Sequence, residues 1–220
     1  MQLTLYYHPL SSFCHKVLIA LYEHGIDFER RVINLGDDAD RAALAALWPV
    51  TRFPVLRDHA RQRNLAESSI IIEYLERHGG GHPRLIPAHC DEALEARLWD
   101  RIFDQYVQRP VQDIVADTCR SVRGDMTPQR ATLVTSYRMI NERMVGRTWV
   151  AAERFSMADC AAAPALFYAM TIQPFPDEFW NLRAYFERLM ARLSVQRVLA
   201  ESKPYFALYP FAVSIPERFR

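Results

Sequence analysis

The chain has 220 residues, 50% of them hydrophobic and 24% charged, which is enough for one large domain or two small ones with buried cores. Its 27 basic and 26 acidic residues give a formal net charge of +1. Such a balanced charge is not typical of a protein that binds nucleic acid or anionic lipid through its overall electrostatic field. No run approaches the roughly 20 apolar residues of a membrane span, and the start MQLTLYYHPL lacks the order of a signal peptide. The sequence therefore predicts a cytoplasmic protein with no membrane and no nucleic-acid partner.

The first 80 residues alternate between the periodicities of strands and helices. Residues 3–7 predict a strand, and apolar positions at helical spacing from Ser12 predict a helix that ends at Gly25. The same reasoning predicts strands at 28–33, at 53–56 and near Leu65, and helices at 37–47 and 67–78, the last ended by Gly79, Gly80 and Gly81. The predicted order is β-α-β-α-β-β-α, an α/β domain.

From about residue 90 the apolar spacing is helical throughout. A long pattern from Leu94 to Val115 is interrupted by Pro110, which predicts one long helix that bends or breaks there. Thr127 and Pro128 open another helix, and a further amphipathic segment spans 182–193. The predicted division is a domain at 1–80, a linker at 81–90 and an all-helical domain at 91–220.

The motif HPLSSFCHK at residues 8–16 lies where the first predicted strand leads into the first helix. Such a junction places hydroxyls and free backbone N–H groups at the positive end of a helix dipole, which stabilises an anion. Ser11 or Ser12 could instead only cap the helix. Cys14 stands at the second cysteine place of a thioredoxin-type C-x-x-C, where a thiol is usually buried and inert; an exposed, acidic Cys14 would favour disulfide exchange.

Two further motifs open later elements of the same half. Pro54 heads a strand that the β-α-β context places inside the sheet, and proline cannot donate to a central ladder. It therefore predicts an edge feature or a cis turn, which leaves the backbone of Phe53 free for a ligand. Glu67 and Ser68 begin the next helix and predict either N-terminal capping or a second site for an anion or amine.

Ser11, Phe53-Pro54 and Glu67-Ser68, in this order and followed by an all-helical half, resemble the glutathione S-transferase family over nearly the whole chain. The resemblance implies a thioredoxin-like, glutathione-binding N-terminal domain and an all-α C-terminal domain that supplies the electrophile pocket. It implies that Pro54 is cis and that the Phe53 backbone pairs with the cysteinyl backbone of glutathione. It also implies that Ser68 binds the γ-glutamyl carboxylate while Glu67 faces the amine.

The same resemblance selects candidates for the catalytic residue. In the serine- and cysteine-type branches, this residue lies five positions before a basic residue at the start of the first helix, and counting back from Lys16 gives Ser11. The Ser-Ser pair also resembles the zeta branch, where both hydroxyls contact the sulfur, so Ser12 is the second candidate and Cys14 the third. A serine O–H donated to sulfur, with the helix dipole, lowers a thiol pKa from about 8.5 toward neutrality.

The resemblance implies a cytosolic, bacterial-like homodimer that serves detoxification by transferring glutathione, its co-substrate, to a small apolar electrophile. Two alternatives remain from the same sequence. One is a glutathione-dependent isomerase of the zeta type. The other is a non-catalytic, partner-binding module on the same fold, because a fold does not determine its chemistry.

The cysteines and the linker histidines predict neither disulfides nor a metal site. Four cysteines spread over the chain without paired short spacing are typical of reduced thiols: Cys14, Cys90, Cys119 and Cys160. A metal site is suggested by residue type alone at His78, His82, His89 and Cys90. Their spacing matches no compact ligand pair, so we expect exposed linker side chains and no metal.

Ser156 and Asp159 have the spacing of a capping box, and Phe155 and Cys160 flank them as a hydrophobic staple. This pattern predicts the start of a helix. It predicts a structural role for Asp159 rather than a catalytic one.

Overall fold

A four-stranded sheet organises the first half of the chain in this computed structural model, which describes residues 2–80 and 82–220. The strands are β1 (Leu3–Tyr7), β2 (Glu29–Val32), β3 (Val55–Asp58) and β4 (Arg63–Ala66), in the order β2-β1-β3-β4. The first two are parallel, and the other neighbours are antiparallel. The helices of this half are α1 (Ser12–Glu23), α2 (Asp38–Leu47) and α3 (Ser68–His78). The predicted order of elements is therefore confirmed.

The chain divides between Leu85 and Ile86 into two compact units. This division falls inside the range predicted as the linker, although that range also contains Cys90, the first residue of the next helix. Gly81, one of the three glycines predicted to end α3, lies outside the described residues.

The third strand differs from its predicted bounds. It begins at Val55 rather than at Phe53, and it continues to Asp58. Pro54 thus lies directly before the ladder, where its missing N–H interrupts no strand pairing. The strand itself is an inner one, between β1 and β4, as its context predicts.

Asp58 connects the end of β3 to α3. Its side chain is fully buried and accepts hydrogen bonds from Tyr74 Oη at 2.7 Å and from the Arg61 backbone N–H at 3.1 Å. Burial opposes ionisation of this carboxyl, but the hydrogen bonds from Tyr74 and Arg61 hold its pKa below the ordinary value. The contact fixes the position of α3 against the sheet.

We predict that Asp58→Asn removes part of the acid sensitivity of this fold. A carboxyl whose pKa is depressed on folding stabilises the protein above its unfolded-state pKa of about 3.9, and this contribution is lost as the pH falls through the folded-state pKa. We expect the variant to be less stable than wild type by about 2 kcal/mol at pH 7, since a hydrogen bond to a charged group is replaced. Chemical denaturation from pH 7 to pH 3 measures the difference in unfolding free energy between wild type and variant. We expect this difference to become smaller as the pH falls; a difference that does not change with pH would contradict this role.

The second unit is helical, which confirms the predicted combination of a thioredoxin-like N-terminal domain and an all-α C-terminal domain. Its helices are α4 (Cys90–Ile102), α5 (Arg109–Thr118), α6 (Thr127–Arg143), α7 (Met157–Ile172), α8 (Trp180–Met190) and α9 (Leu193–Ser202). The segment predicted at 182–193 is divided, because α8 ends at Met190 and Leu193 begins α9. Among the described residues, no helix combines the length and the apolar character needed to cross a bilayer.

The interruption predicted at Pro110 takes a different form. A π-helical segment, Phe103–Gln108, connects α4 to α5 directly before the proline. Proline has no N–H to donate to the carbonyl four residues earlier, which belongs to Tyr106. Ser136 Oγ of α6 donates to that carbonyl at 2.9 Å, so a neighbouring helix satisfies it.

The capping box predicted at the start of α7 is present. The Ser156 N–H and Oγ both donate to Asp159 Oδ2, at 2.9 and 3.0 Å. The other carboxylate oxygen of Asp159 accepts from Tyr185 Oη at 2.6 Å and from the Val150 N–H at 3.3 Å. Asp159 is fully buried and connects α7 to α8 and to the preceding loop, which is the structural role predicted for it.

Candidate functional site

Strand register brings the three predicted motifs to one end of the sheet. Val55, the first residue of β3, pairs with Tyr6 near the end of β1 and with Ala66 at the end of β4. Adjacent strands lie about 4.8 Å apart, so the segments beyond these three residues are neighbours. They are the serine motif after β1, Phe53-Pro54 before β3, and Glu67-Ser68 after β4. We call this end of the sheet the motif edge.

Two side-chain contacts join the segments of the motif edge. Lys16 Nζ of α1 donates to Ser69 Oγ at the start of α3, at 2.9 Å. His8 stacks on Phe53, with ring centroids 5.9 Å apart and an angle of 19° between the ring planes. The starts of α1 and α3 and the turn before β3 therefore surround one small region.

Ser11 is the N-cap of α1, and its Oγ accepts the Cys14 N–H at 3.4 Å. Capping uses the acceptor side of this hydroxyl, and the O–H can still donate to another group. Ser11 is half-buried, whereas only 5% of Ser12 is exposed. A bound sulfur therefore has better access to Ser11, and the first turn of α1 contains no acidic residue to oppose an anion there.

Cys14 occupies the position expected of an inert thiol. Its side chain is fully buried, and burial raises its pKa to about 12. A thiol in this environment is protonated at neutral pH and is a poor nucleophile. The geometry thus favours Ser11 over Cys14 as the group that contacts a substrate sulfur.

We predict that iodoacetamide leaves Cys14 unmodified in the native protein, because a buried thiol with a raised pKa presents almost no accessible thiolate. Cys90 and Cys119 are exposed and provide internal controls that should react within the same experiment. Peptide mass spectrometry after brief labelling distinguishes the sites. Modification of Cys14 at the rate of Cys90 would reverse the assignment and restore Cys14 as a candidate nucleophile.

The start of α3 has an unusual backbone. Glu67 has φ of +66°, a conformation that residues with a side chain rarely adopt, and its carboxylate makes no capping hydrogen bond to the helix. The geometry therefore does not favour the alternative that Glu67 only caps the helix. Glu67 is exposed and Ser68 is buried, and the first turn of the helix contains no acidic side chain. Strained backbone of this kind clusters at ligand sites, and the helix start offers free N–H groups to an anion.

The turn before β3 is arranged as the resemblance implies. The Phe53–Pro54 peptide bond is cis. The Phe53 ring packs on a cluster formed by Ile33, Leu44 and Val55 as well as on His8. Burial lowers the pKa of His8, so this ring is neutral at pH 7, and its Nδ1 accepts the Leu10 N–H at 3.2 Å.

Lys16 and Ser69 are the pair that the sequence reasoning missed. Lys16 served there only as a marker from which to count back to Ser11, and Ser69 was not singled out. The two residues lie far apart in sequence, so neither periodicity nor a local motif indicates their contact. The one available signal is that Lys16 and Lys203 are the only lysines in a chain whose other basic residues are all arginines.

A group with metal-ligating side chains occurs at the start of α4, in the helical unit. His89, Cys90 and Asp91 place one possible ligand atom each within 4.8 Å of one another, and all three are exposed. His78 and His82, which share the suggestive residue types, are not part of this group. The trio lies at the positive end of α4, and it lacks the closed donor set of a structural metal site.

The helical unit contains an open cavity of about 530 Å³ at the loop between α6 and α7. It is lined by Val145, Gly146, Arg147, Thr148, Ala152 and Glu153. The lining exposes more polar than apolar surface, and it includes the charged residues Arg147 and Glu153. The cavity therefore does not match the pocket for an apolar electrophile that the resemblance implies.

Comparisons with known proteins agree over both halves of the chain. Residues 5–83 match the family description "Glutathione S-transferase, N-terminal domain", and residues 129–192 match "Glutathione S-transferase, C-terminal domain". A glutathione S-transferase from Silene vulgaris is 24% identical over 217 residues, covering 92% of this chain and 99% of the relative. A stringent starvation protein A homologue from Pasteurella multocida is 26% identical over 210 residues, covering 92% of each chain. A solved structure of a glutathione S-transferase from Methylobacillus flagellatus with glutathione bound is 25% identical, with a TM-score of 0.79, covering 90% of this chain and 98% of that one.

Proposed function

Because this chain belongs to the glutathione S-transferase family, we propose that it is a glutathione transferase that binds glutathione at the motif edge. The observation that carries the proposal is the convergence of two helix starts, those of α1 and α3, at one end of the sheet. Each start presents free N–H groups and a positive dipole end, and neither has an acidic residue in its first turn. Glutathione carries an anionic group toward each, the γ-glutamyl carboxylate and the thiolate.

The family resemblance supplies the proposed roles of the site residues. Ser68, at the first position of α3, binds the γ-glutamyl carboxylate, and Glu67 faces the amine. The backbone of Phe53, directly before Pro54, pairs with the cysteinyl backbone. This arrangement directs the thiol toward Ser11 at the start of α1.

Activation of the thiol is the chemical contribution of Ser11. Its O–H donates to the sulfur, and the dipole of α1 adds to the preference for the anion. Lowering the pKa from about 8.5 to about 6.5 raises the thiolate fraction at pH 7 from roughly 3% to roughly 75%. The thiolate then attacks a small apolar electrophile: a C–S bond forms as halide leaves an aryl halide, or as the C=C electrons of an unsaturated carbonyl compound move to the carbonyl and a proton from water completes the addition. Thiolate stabilisation and approximation of the two reactants supply the rate enhancement. We place this activity in a cytoplasmic homodimer that serves detoxification.

We expect isothermal titration calorimetry to detect glutathione binding to wild type and a Kd about 10- to 100-fold higher for Ser68→Ala. The variant loses a hydrogen bond to a charged carboxylate, which contributes about 1.5–3 kcal/mol. Ser121→Ala, at an exposed position in the helical unit, is the matched control and should bind like wild type. Absence of binding to wild type would contradict the proposal, and an unchanged Kd for Ser68→Ala would remove Ser68 from the site.

The isomerase alternative differs in its products. A transferase consumes glutathione and yields a conjugate, whereas a glutathione-dependent isomerase returns glutathione unchanged. Mass spectrometry of reactions with a panel of aryl halides and unsaturated carbonyl compounds therefore separates the two. We expect products whose mass exceeds that of the electrophile because they contain glutathione.

A second candidate function is a partner-binding module that performs no transfer. The observation that favours it is the similarity, over 92% of the chain, to a stringent starvation protein A homologue, a relative that is not named as a transferase. Against it stands the positive φ of Glu67 at the start of α3, since strained backbone clusters at ligand sites. A protein that binds no glutathione and conjugates no member of the electrophile panel would support this candidate.

A further inference from the structure

Lys16 makes a contact that the proposed roles of the site residues do not use. Its side chain lies in α1, five residues after Ser11, and only 1% of it is exposed. Its Nζ donates to Ser69 Oγ at 2.9 Å, across 53 residues of sequence. Ser69 directly follows Ser68 in the first turn of α3.

A buried lysine at this position needs a physical reason. Removing an amino group from water is costly unless it is hydrogen-bonded. The helices α1 and α3 are in contact, and each contains buried apolar residues, such as Leu18 in α1 and Ile71 in α3. An apolar side chain of similar length would therefore serve packing alone. The amino group instead adds a directed bond from the second turn of α1 to the first turn of α3.

We propose that Lys16 is a positioning residue for glutathione: its bond to Ser69 fixes the distance between the starts of α1 and α3. The inference rests on the proposed function, because it concerns a ligand that engages both starts. A tripeptide anchored at Ser68 and at Ser11 tolerates little change in the separation of its anchors, and misplacement by about 1 Å is enough to cost a large factor in rate. Lys16 acts through Ser69 and does not itself touch the ligand.

The test uses variants that change the donor, the acceptor or neither. Lys16→Met keeps the length of the side chain and removes the donor, and Lys16→Arg restores a donor. Ser69→Ala removes the acceptor. The matched control is Lys203→Met, which replaces the other lysine of the chain at an exposed position.

For each variant, calorimetry gives the Kd of glutathione, and ultraviolet titration gives the pKa of the bound thiol. We expect Lys16→Met and Ser69→Ala each to raise the Kd about 10-fold and the thiol pKa by about one unit. The loss in the double variant should be smaller than the sum of the two single losses, because both substitutions remove the same bond. Lys16→Arg should recover most of the affinity, and Lys203→Met should match wild type. Additive losses in the double variant would contradict a shared contact.

A ligand that engages only one helix start separates positioning from a local defect. Cysteinylglycine lacks the γ-glutamyl group and therefore does not span the two starts. We expect Lys16→Met to leave its binding, measured by competition, within twofold of wild type. An equal loss for cysteinylglycine and glutathione would overturn the positioning role.

Thermal unfolding of each variant identifies a failure to fold. If Lys16→Met does not fold, Ser69→Ala decides the question, and an unchanged glutathione Kd in that variant would overturn the inference. If Lys16→Met folds and its glutathione Kd is unchanged, the inference is also overturned, but the proposed function is not affected. Failure of wild type to bind glutathione would overturn the proposed function together with this inference.

Discussion

Replacing Ser11 with alanine lowers kcat/KM for glutathione conjugation by roughly 100- to 1000-fold in our expectation, the loss typical of one donor to a developing or bound anion. Ser11 is the half-buried N-cap of α1, and its O–H is the donor that we propose for the thiol of glutathione. The loss should appear mainly in the rate at neutral pH. Because alkaline solution ionises the thiol without help, the deficit should diminish as the pH rises above about 8.5.

The N-cap role of Ser11 requires a control, since removing a cap costs about 0.5–2 kcal/mol of stability. Ser11→Thr retains both a hydroxyl and a capping oxygen, and we expect it to keep most of the activity. Ser12→Ala removes the buried neighbouring hydroxyl and should lose less than tenfold. Steady-state kinetics from pH 6 to pH 9 compares the three variants, and a larger loss in Ser12→Ala than in Ser11→Ala would transfer the catalytic role to Ser12.

Asp159→Ala is expected to destabilise the helical unit by about 3–5 kcal/mol, enough to unfold it or to lower its Tm strongly. The carboxylate is fully buried and accepts hydrogen bonds from the Ser156 N–H, the Val150 N–H and Tyr185 Oη. Its removal leaves these donors buried without an acceptor, and each such group costs about 1–3 kcal/mol. The effect is one on folding and not on the chemistry of the motif edge.

Asp177→Ala is the matched control for this prediction. The Asp177 side chain is 92% exposed and pairs with Arg183 on the surface. Surface ion pairs contribute little, so we expect a change within about 0.5 kcal/mol. Circular dichroism melts of both variants measure the difference, and a Tm of Asp159→Ala close to that of Asp177→Ala would contradict the structural role of Asp159.

Features encoded by neighbouring residues were predictable from the sequence. The capping box at Ser156 needs only four adjacent residues, and the helix that begins at Thr127 is indicated by the proline that follows it. The alternation of the first half predicts its seven elements in order because each strand and helix has its own period. The resemblance added what periodicity does not contain, namely the assignment of Ser11, Pro54 and Ser68 to one ligand.

Features that depend on distant partners were not predictable in this way. The carbonyl of Tyr106, which loses its helical donor at Pro110, lies within hydrogen-bond distance of Ser136 on another helix. The start of β3 depends on its ladder with two neighbouring strands, which excludes Pro54. The contact of Lys16 with Ser69 depends on the packing of α1 against α3, and no local pattern encodes it.

The central claim is that Ser11 stabilises the thiolate of glutathione bound at the motif edge. Ultraviolet titration of the bound thiol, in wild type and in Ser11→Ala, tests this without knowledge of the electrophile. We expect the thiol bound to wild type to ionise near or below pH 7 and the thiol bound to Ser11→Ala to ionise near the free value of about 8.5. Bound glutathione whose ionisation is the same in both proteins, or that does not ionise near neutral pH in wild type, would contradict the claim.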